Sequence, residues 1–451
     1  MRLLLVAVLF AAAGCQGELN PEWCQQHTND QDCINAGLVQ VDASPSCKDV
    51  PCSGSNALVC DTNRGGGLCV QCIPGNPDNP QGCLCASDDE CHECLVSDDC
   101  GAGGLCLPDF ACVGGGGGSG SGSGSPDNLL YAAPAGTGDC TSVASPCPLR
   151  TALGKVDSMH KVIELAAGSY NEGPITIGVT VILIGPSPGP GHQYHDPSDP
   201  AGRAVITGGG PVLSVTAGTV GLYELTVEGS QGSAGIVCDH ATLQVYHSVV
   251  RDNPQEGIKA STCAMSIERS AFTKNGTTGS TYEAIYANDC NPVAIRNNFV
   301  YGNGNNTSVK GAVHFVGSTV GDFRFNTVAY NHAQIQNKGP GGVAAPAPPA
   351  PLAIGGVLCE SSMVIARDDI ISKNDNADFG YSQGGCMATN SFIGSDPKLK
   401  SSTDLHATAG TPTPAIVNNS SSDCSKASGY DIDFDPRPMG PACDLGADEF
   451  Q

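Results

Sequence analysis

The sequence predicts an all-β protein, a solenoid of short stacked strands that follows a small disulfide-rich module. The composition supports this class, because the 451 residues include 59 glycines and only 15% charged residues. Average domains have about 7% glycine and about 25% charge, so this balance favours a turn-rich β protein over a helical bundle. An internal repeat of six units, described below, is the second observation that predicts the solenoid. The formal net charge of −24 excludes a basic nucleic-acid-binding protein, and no nucleic-acid partner is expected.

The N-terminus predicts export. Arg2 precedes the apolar run 3–10 and a series of small residues, and together residues 1–14 are typical of a signal peptide. The phrase Ala13-Gly14-Cys15 resembles the lipobox of bacterial lipoproteins. This resemblance implies that Cys15 is acylated and becomes the mature N-terminus, anchoring the protein at the outer membrane or cell surface. An ordinary secretory peptide cleaved after Gly14 is the alternative. The lipid is the only membrane contact that we expect.

Residues 15–113 form the predicted disulfide-rich module. Fourteen of the 24 cysteines lie between residues 16 and 113, where large aliphatic residues are few. Such a segment depends on disulfides for its stability, and this many cysteines indicate an oxidising compartment. The even spacing from Cys94 to Cys112 resembles cysteine-rich repeats of bacterial surface proteins. Its CxxC pairs are also compatible with zinc ligation, but we expect these cysteines to form disulfides. We expect no bound metal and no cofactor, and calcium is an alternative that no further feature of the sequence supports. A Gly/Ser linker, 114–126, follows.

Six repeat units predict the solenoid. The units begin at Val212, Ile236, Ile258, Ile285, Val313 and Val357, and they end 17 or 18 residues later at Gly229, Asn253, Asn275, Asn303, Asn331 and Asn374. Five residues before each end lies Glu224, Ser248, Ser270, Asn298, Asn326 or Asp369. Short strands separated by polar turns at fixed offsets suit rungs that stack on one another. The polar turn residues are expected to form hydrogen bonds from rung to rung.

The phrases that flank the repeat resemble a known architecture. Residues 162–185 resemble the opening rung of right-handed parallel β-helix proteins with the pectate-lyase-like fold, and 443–450 resemble their closing phrase. The resemblance implies an N-terminal cap at 127–165, a parallel β-helix at 166–395 and a C-terminal cap at 396–451 that closes the end of the pile. A short amphipathic helix with apolar residues from Leu149 to Met159 is expected in the first cap.

Cysteine positions in the second half predict particular disulfides. Cys263 and Cys290 share one offset in consecutive rungs, so we expect a bond between them and a buried free thiol at Cys238. Three further pairs are expected, in the two caps and near the end of the repeat: Cys140 with Cys147, Cys424 with Cys443, and Cys359 with Cys386.

A candidate binding face follows from the alternation of strand residues. If Ile258, Ile285 and Val313 point inward, their successors Lys259, Tyr286 and His314 point outward in rungs about 4.8 Å apart. A second outward column, two residues further along each strand, contains Asp239 and Asn288. Tyr286 would stack on a sugar ring, Lys259 would bind a carboxylate and His314 would form a hydrogen bond or transfer a proton.

The expected function is binding of an extracellular or cell-envelope polysaccharide without turnover by a monomeric surface lipoprotein. Catalysis is disfavoured because neither the paired carboxylates of hydrolases nor an acidic metal site appears on this column. One alternative is a polysaccharide lyase or hydrolase acting from the Lys259, Tyr286 and His314 face. Another is a non-enzymatic adhesin or rigid spacer that contacts protein.

Overall fold

The computed structural model describes residues 129–186, 202–278, 283–305, 310–333, 353–382, 386–408, 410–411, 416–417, 419–420, 431–433, 437 and 443–449, together with six short strands between Val59 and Val113. The chain divides into two compact units, Met1–Cys85 with Asp89–Cys91, and the remainder. The signal peptide, Cys15, the linker 114–126 and Cys424 lie outside the described residues, as does most of the disulfide-rich module.

The structure contains one short helix, α1 (Leu149–Leu153), and 33 strands among the described residues. The strands are β1 (Val59–Asp61), β2 (Leu68–Val70), β3 (Leu84–Cys85), β4 (Cys91–His92), β5 (Leu105–Cys106), β6 (Cys112–Val113), β7 (Leu129–Ala132), β8 (Val162–Leu165), β9 (Gly168–Tyr170), β10 (Ile175–Ile177), β11 (Val181–Ile184), β12 (Ala204–Thr207), β13 (Leu213–Val215), β14 (Thr219–Tyr223), β15 (Leu225–Glu228), β16 (Ile236–Asp239), β17 (Thr242–Tyr246), β18 (Val249–Arg251), β19 (Ile258–Ser261), β20 (Ala264–Glu268), β21 (Ala271–Thr273), β22 (Ile285–Asn288), β23 (Val293–Arg296), β24 (Phe299–Tyr301), β25 (Val313–Val316), β26 (Val320–Arg324), β27 (Thr327–Ala329), β28 (Val357–Glu360), β29 (Met363–Arg367), β30 (Ile370–Ser372), β31 (Phe379–Ser382), β32 (Met387–Thr389) and β33 (Phe392–Ile393).

Strands β7–β33 form three long parallel sheets. Sheet A has the order β10-β13-β16-β19-β22-β25-β28-β31, sheet B the order β32-β29-β26-β23-β20-β17-β14-β11-β8-β7, and sheet C the order β33-β30-β27-β24-β21-β18-β15-β12-β9. Each repeat unit therefore supplies one strand to each sheet before the chain moves to the next rung. Alternate side chains point inward and form one continuous apolar core from Leu130 to Cys386. The predicted all-β parallel β-helix is confirmed.

The rungs stack in the register that the repeat predicts, with one correction. Ile236, Ile258, Ile285, Val313 and Val357 pair in sequence along sheet A. In the first unit, however, Leu213 rather than Val212 pairs with Ile236. Glu224 and Gly229 are left-handed turn residues, with φ of 57° and 69°, and each precedes the position that continues the polar ladder. The first unit is therefore shifted by one residue.

Two polar ladders join the rungs. At the corner between sheets B and C, the Oδ1 atom of Asn326 accepts hydrogen bonds from Asn298 N (3.1 Å) and Nδ2 (2.9 Å). After sheet C, Asn331 accepts in the same way from Asn303. The same bond type recurs along the first ladder, Ser248, Ser270, Asn298, Asn326, Asp369 and Ser391, and along the second, Asn253, Asn275, Asn303, Asn331 and Asn374. The ladders satisfy buried turn amides that the strands leave unpaired.

Replacing Asp369 by asparagine is expected to stabilise the protein at neutral pH. Asp369 Oδ1 accepts from Asn326 N (2.8 Å), whereas Oδ2 is buried without a hydrogen-bond partner. Burial, reinforced by the charge of Asp368, raises the pKa of Asp369 well above its usual range. A raised carboxyl pKa gives stability that is present below the ordinary pKa and lost as the pH rises through the folded-state value. An asparagine side chain at this position would keep the acceptor oxygen and remain neutral.

We expect Asp369→Asn to raise the free energy of unfolding at pH 7 by about 0.5–2 kcal/mol. Urea unfolding followed by circular dichroism at pH 7 and near pH 4 measures this gain, which should shrink at the lower pH. A variant that is less stable than the wild type at pH 7 would contradict the view that the buried carboxylate of Asp369 destabilises the folded protein.

The two caps differ from their predicted forms. Helix α1 stops at Leu153 because Gly154 follows as its C-cap, and Met159, expected on its buried face, is 65% exposed. The Glu172 carboxylate accepts the backbone N–H groups of Leu149 and Arg150 at 2.9 Å and so caps the helix.

The described residues of the C-terminal segment pack along the outer face of sheet C, whereas a cap over the end of the pile was expected. Ile432 O lies 3.3 Å from His247 Nε2, near the start of the repeat, and Ala447 N donates to Thr327 Oγ1 at 3.0 Å. Leu405, Ile432 and Ala447 form an apolar cluster with sheet C residues that include Phe299. The segment buries the apolar residues that point outward from sheet C, which explains why it runs along the side of the β-helix.

The disulfides of the repeat require a correction. Cys140 is bonded to Cys147, and Cys359 to Cys386, both among the expected pairs. Cys263 is bonded to Cys238, not to Cys290, and Cys290 is the buried free thiol. Equivalent residues of neighbouring rungs point side by side about 4.8 Å apart, which exceeds the Cβ separation of about 3.5–4.5 Å in disulfides. Cys443 is disulfide-bonded, but its expected partner Cys424 lies outside the described residues.

Within the described part of the chain, no helix has the length and apolar character needed to cross a membrane.

Candidate functional site

The candidate site is the outer face of sheet A, where the rung register sets the side-chain positions. Lys259 pairs with Tyr286, and Tyr286 with His314, in consecutive strands. Asn288 lies on the parallel column two residues further along, one rung from Ser261, and Asp239 lies one rung beyond Ser261. The candidate residues therefore occupy four rungs, a length of about 14 Å at the usual strand spacing.

His314 is buried, in contrast to the exposed position that the alternation predicted. Only 1% of the residue is exposed. Its Nδ1 atom lies 2.9 Å from Glu283 Oε1, and its Nε2 atom lies 3.0 Å from Glu360 Oε2. One carboxylate therefore lies at each ring nitrogen of the imidazole. The Tyr286 ring contacts the imidazole in a T-shaped arrangement with ring centroids 5.4 Å apart. His314 is therefore a supporting residue beneath the surface, with both ring nitrogens engaged.

Glu283 and Glu360, the two carboxyl groups that contact His314, have pKa values shifted in opposite directions. Burial raises the pKa of Glu283, and the charge of Glu256 adds to this effect against the hydrogen bond from His314. Burial also acts to raise the pKa of Glu360, but the charges and hydrogen bonds of His314 and Lys310 outweigh it and lower the pKa. Glu360 therefore ionises before Glu283 as the pH rises, and it is the more exposed of the two.

Both lysines at this face have carboxylate partners. Lys259 Nζ is 3.6 Å from Glu256 Oε1, and Lys310 Nζ is 3.3 Å from Glu360 Oε2. Glu256 is itself buried, and its Oε2 atom has no hydrogen-bond partner. The Lys259 charge is thus partly neutralised before any ligand arrives, so a carboxylate ligand gains less from it than an isolated lysine would provide.

Tyr286, Asn288 and Asp239 remain accessible. Tyr286 and Asn288 are partly exposed and Asp239 is exposed, 2.8 Å from His240 Nδ1. Burial and the nearby charges of Glu283, Glu256 and Glu360 raise the pKa of Tyr286, so its hydroxyl stays protonated and can donate a hydrogen bond. An aromatic ring beside polar groups is an arrangement that can contact the apolar face and the hydroxyls of a sugar.

Sequence reasoning missed Glu256, Glu283 and Lys310, which contribute most of the charge around the predicted residues. Glu256 and Glu283 each lie two residues before the inward isoleucine of their rung, so the offset alone indicated that they stack. They were missed because they precede the strands, and only the strand positions were assigned to faces.

Comparison with known proteins gives one structural likeness. The chain is similar to the crystal structure of pectate lyase Pel9A, with 14% sequence identity, a TM-score of 0.39, and coverage of 72% of this chain and 96% of that one. No protein-family model matches the chain, and no curated protein matches it. The fold assignment rests on the three parallel sheets themselves.

Proposed function

We propose that the chain is a lipid-anchored surface protein whose sheet A face binds an extracellular or cell-envelope polysaccharide without turning it over. The observation that carries this proposal is the group of Tyr286, Asn288 and Asp239 on one face of sheet A: Tyr286 and Asn288 lie two residues apart on one strand, and Asp239 lies two rungs from Asn288. Sugars in an extended chain meet such a group with their hydroxyls and ring faces. The anchor and the location rest on the sequence around Cys15 alone.

The burial of His314 supports binding over catalysis. A general acid must lie within hydrogen-bond reach of the atom that it protonates. His314 is enclosed by Glu283 and Glu360, and its ring nitrogens already have partners at 2.9 and 3.0 Å. A lyase acting from this face would use Lys259 as the base and His314 as the acid, and both side chains would have to leave their carboxylate partners.

Polysaccharide turnover is the second candidate function, and one observation favours it. Glu283 and Glu360 have pKa values shifted apart around a shared imidazole, and such divergence is a feature of acid and base pairs in enzymes. In this scheme Glu360, the exposed member, acts on the substrate, while His314 connects it to the buried carboxyl of Glu283. An adhesin or spacer function remains the third candidate and requires no bound glycan.

The test is a panel of neutral, acidic and amine-bearing polysaccharides added to the full chain. Binding is followed by the melting temperature and by titration calorimetry, and turnover by ultraviolet absorbance and new reducing ends. We expect Tyr286→Ala to raise the Kd of the bound glycan about tenfold, equivalent to about 1.4 kcal/mol, because a stacked ring is lost. Lys373→Ala, which removes a lysine paired with Asp396 away from this face, is the matched control and should bind normally.

Two results would overturn the proposal. New reducing ends or unsaturated uronate that disappear in Glu360→Gln would establish turnover instead. Absence of a response to any glycan, with Tyr286→Ala indistinguishable from the wild type, would favour the spacer or adhesin.

A further inference from the structure

A cluster of potential metal-ligand atoms lies where the C-terminal segment covers sheet C. His406, Asp433 and Asp448 each offer one atom, and these atoms all lie within 4.8 Å of one another. The three residues come from stretches that are distant in sequence. They belong to neither the sheet A face nor any strand of the repeat.

The fold builds this cluster through apolar anchors. The residues directly before the three side chains, Leu405, Ile432 and Ala447, are all buried in one cluster against sheet C. Each stretch therefore inserts an apolar residue into the same surface and places the next side chain at a common point. The Phe299 ring of sheet C contacts the His406 ring edge-on, with centroids 5.1 Å apart, and fixes its inner side.

The side chains are also oriented individually. Asp404 Oδ1 contacts His406 Nδ1, which leaves Nε2 directed at Asp433 Oδ2, 2.6 Å away. Asp448 Oδ2 accepts the backbone N–H of Ala407 at 2.7 Å. A carboxylate on the second ring nitrogen is the arrangement that holds metal-binding histidines in place.

We propose that His406, Asp433 and Asp448 bind a divalent transition-metal ion, with zinc as the ion that best suits the donors. One imidazole nitrogen and two carboxylate oxygens form a set that zinc accepts, whereas calcium and magnesium prefer oxygen atoms alone. Zinc bonds of about 2.0–2.2 Å place tetrahedral ligand atoms about 3.3 Å apart. His406 Nε2 and Asp433 Oδ2 are 2.6 Å apart and all three ligand atoms lie within 4.8 Å of one another, so the first pair would separate by about 0.7 Å to hold the ion.

The charge around the cluster supports a cation. The buried carboxylate of Asp431 accepts the backbone N–H of Asp433 at 2.8 Å, so another negative group lies directly behind the site. Among the described cations nearby, Lys400 pairs with Asp404 and Arg437 pairs with Glu449. The ion would link three stretches of the C-terminal segment to one another, and that segment has no strands of its own among the described residues.

The experiment measures zinc binding by the full chain, purified without reductant so that the cysteines stay oxidised, and then stripped with a chelator. Equilibrium dialysis with atomic absorption gives the stoichiometry, and the melting temperature is recorded with and without zinc. The variants are His406→Gln and Asp433→Asn. His332→Gln is the matched control, because His332 forms a half-exposed pair with Asp375 at 3.1 Å outside the cluster.

We expect the wild type and His332→Gln to bind one zinc equivalent more than His406→Gln and Asp433→Asn, and to gain melting temperature when zinc is added. Equal zinc content in all four proteins would overturn the proposal and leave an ion-pair network in place of a metal site. If His406→Gln and Asp433→Asn fail to fold, Asp448→Asn decides, because its amide oxygen still accepts the Ala407 N–H. A full zinc equivalent in that variant would contradict the assignment.

Discussion

Replacing Arg437 by alanine is expected to lower the free energy of unfolding by about 3–5 kcal/mol, the usual cost of removing one partner of a buried ion pair. The Arg437 and Glu449 side chains are 0% and 1% exposed, with Nη1 and Oε1 3.2 Å apart. Arg437 also donates to Asp444 O at 3.1 Å and to Gly446 O at 2.7 Å. Alanine would leave the Glu449 carboxylate and both carbonyls buried without these donors. Urea unfolding followed by circular dichroism measures the loss.

Arg251→Ala is the matched control for this prediction. Arg251 Nε lies 2.7 Å from Glu228 Oε2, a closer contact than that of Arg437, but the side chains are 16% and 26% exposed. Partly solvated pairs of this kind contribute about 0.2–1 kcal/mol. If the two variants lose similar stability, burial of the Arg437 pair does not determine the size of its effect.

The fold was predictable from the sequence because apolar strand residues and polar turn residues recur periodically along the repeat. The inward residues Ile236, Ile258 and Ile285 lie 17 or 18 residues before the asparagine that ends each unit, and this near-constant spacing indicates the register of sheet A. The first unit was displaced by one residue because Glu224 and Gly229 are turn residues that imitate the ladder positions in spacing. A spacing alone does not separate a left-handed turn residue from the ladder residue that follows it.

The candidate site was predictable only in outline. The strand register predicted that Lys259, Tyr286 and His314 lie together. The burial of His314 depends on two other residues: Glu283, which lies just before the strand of Tyr286, and Glu360, which belongs to another outward column. The course of the C-terminal segment had no repeat to indicate it. Likewise, His406, Asp433 and Asp448 share no spacing motif, since they meet only through the apolar residues that precede them.

The disulfide partner of Cys263 is open to a direct test. Replacing Cys238 by serine is expected to lower the free energy of unfolding by about 2–4 kcal/mol, because the Cys238–Cys263 bond restricts the unfolded chain. The two cysteines are 25 residues apart in sequence, with Cα atoms 6.1 Å apart. Urea unfolding without reductant measures the loss, and thiol titration of the unfolded variant should detect the newly freed Cys263.

Cys290→Ser is the control that separates the two possible pairings. The Cys290 sulfur accepts from Cys263 N and donates to Asn288 O, both at 3.4 Å, and burial raises the pKa of this thiol. A serine hydroxyl can make the same contacts, as Thr319 does at the equivalent position of the next rung, where its Oγ1 accepts from Cys290 N. We therefore expect a change within about 1 kcal/mol, roughly the net value of one hydrogen bond. If Cys263 were instead bonded to Cys290, the effects would be exchanged: Cys290→Ser would lose the stability of a disulfide and Cys238→Ser would not.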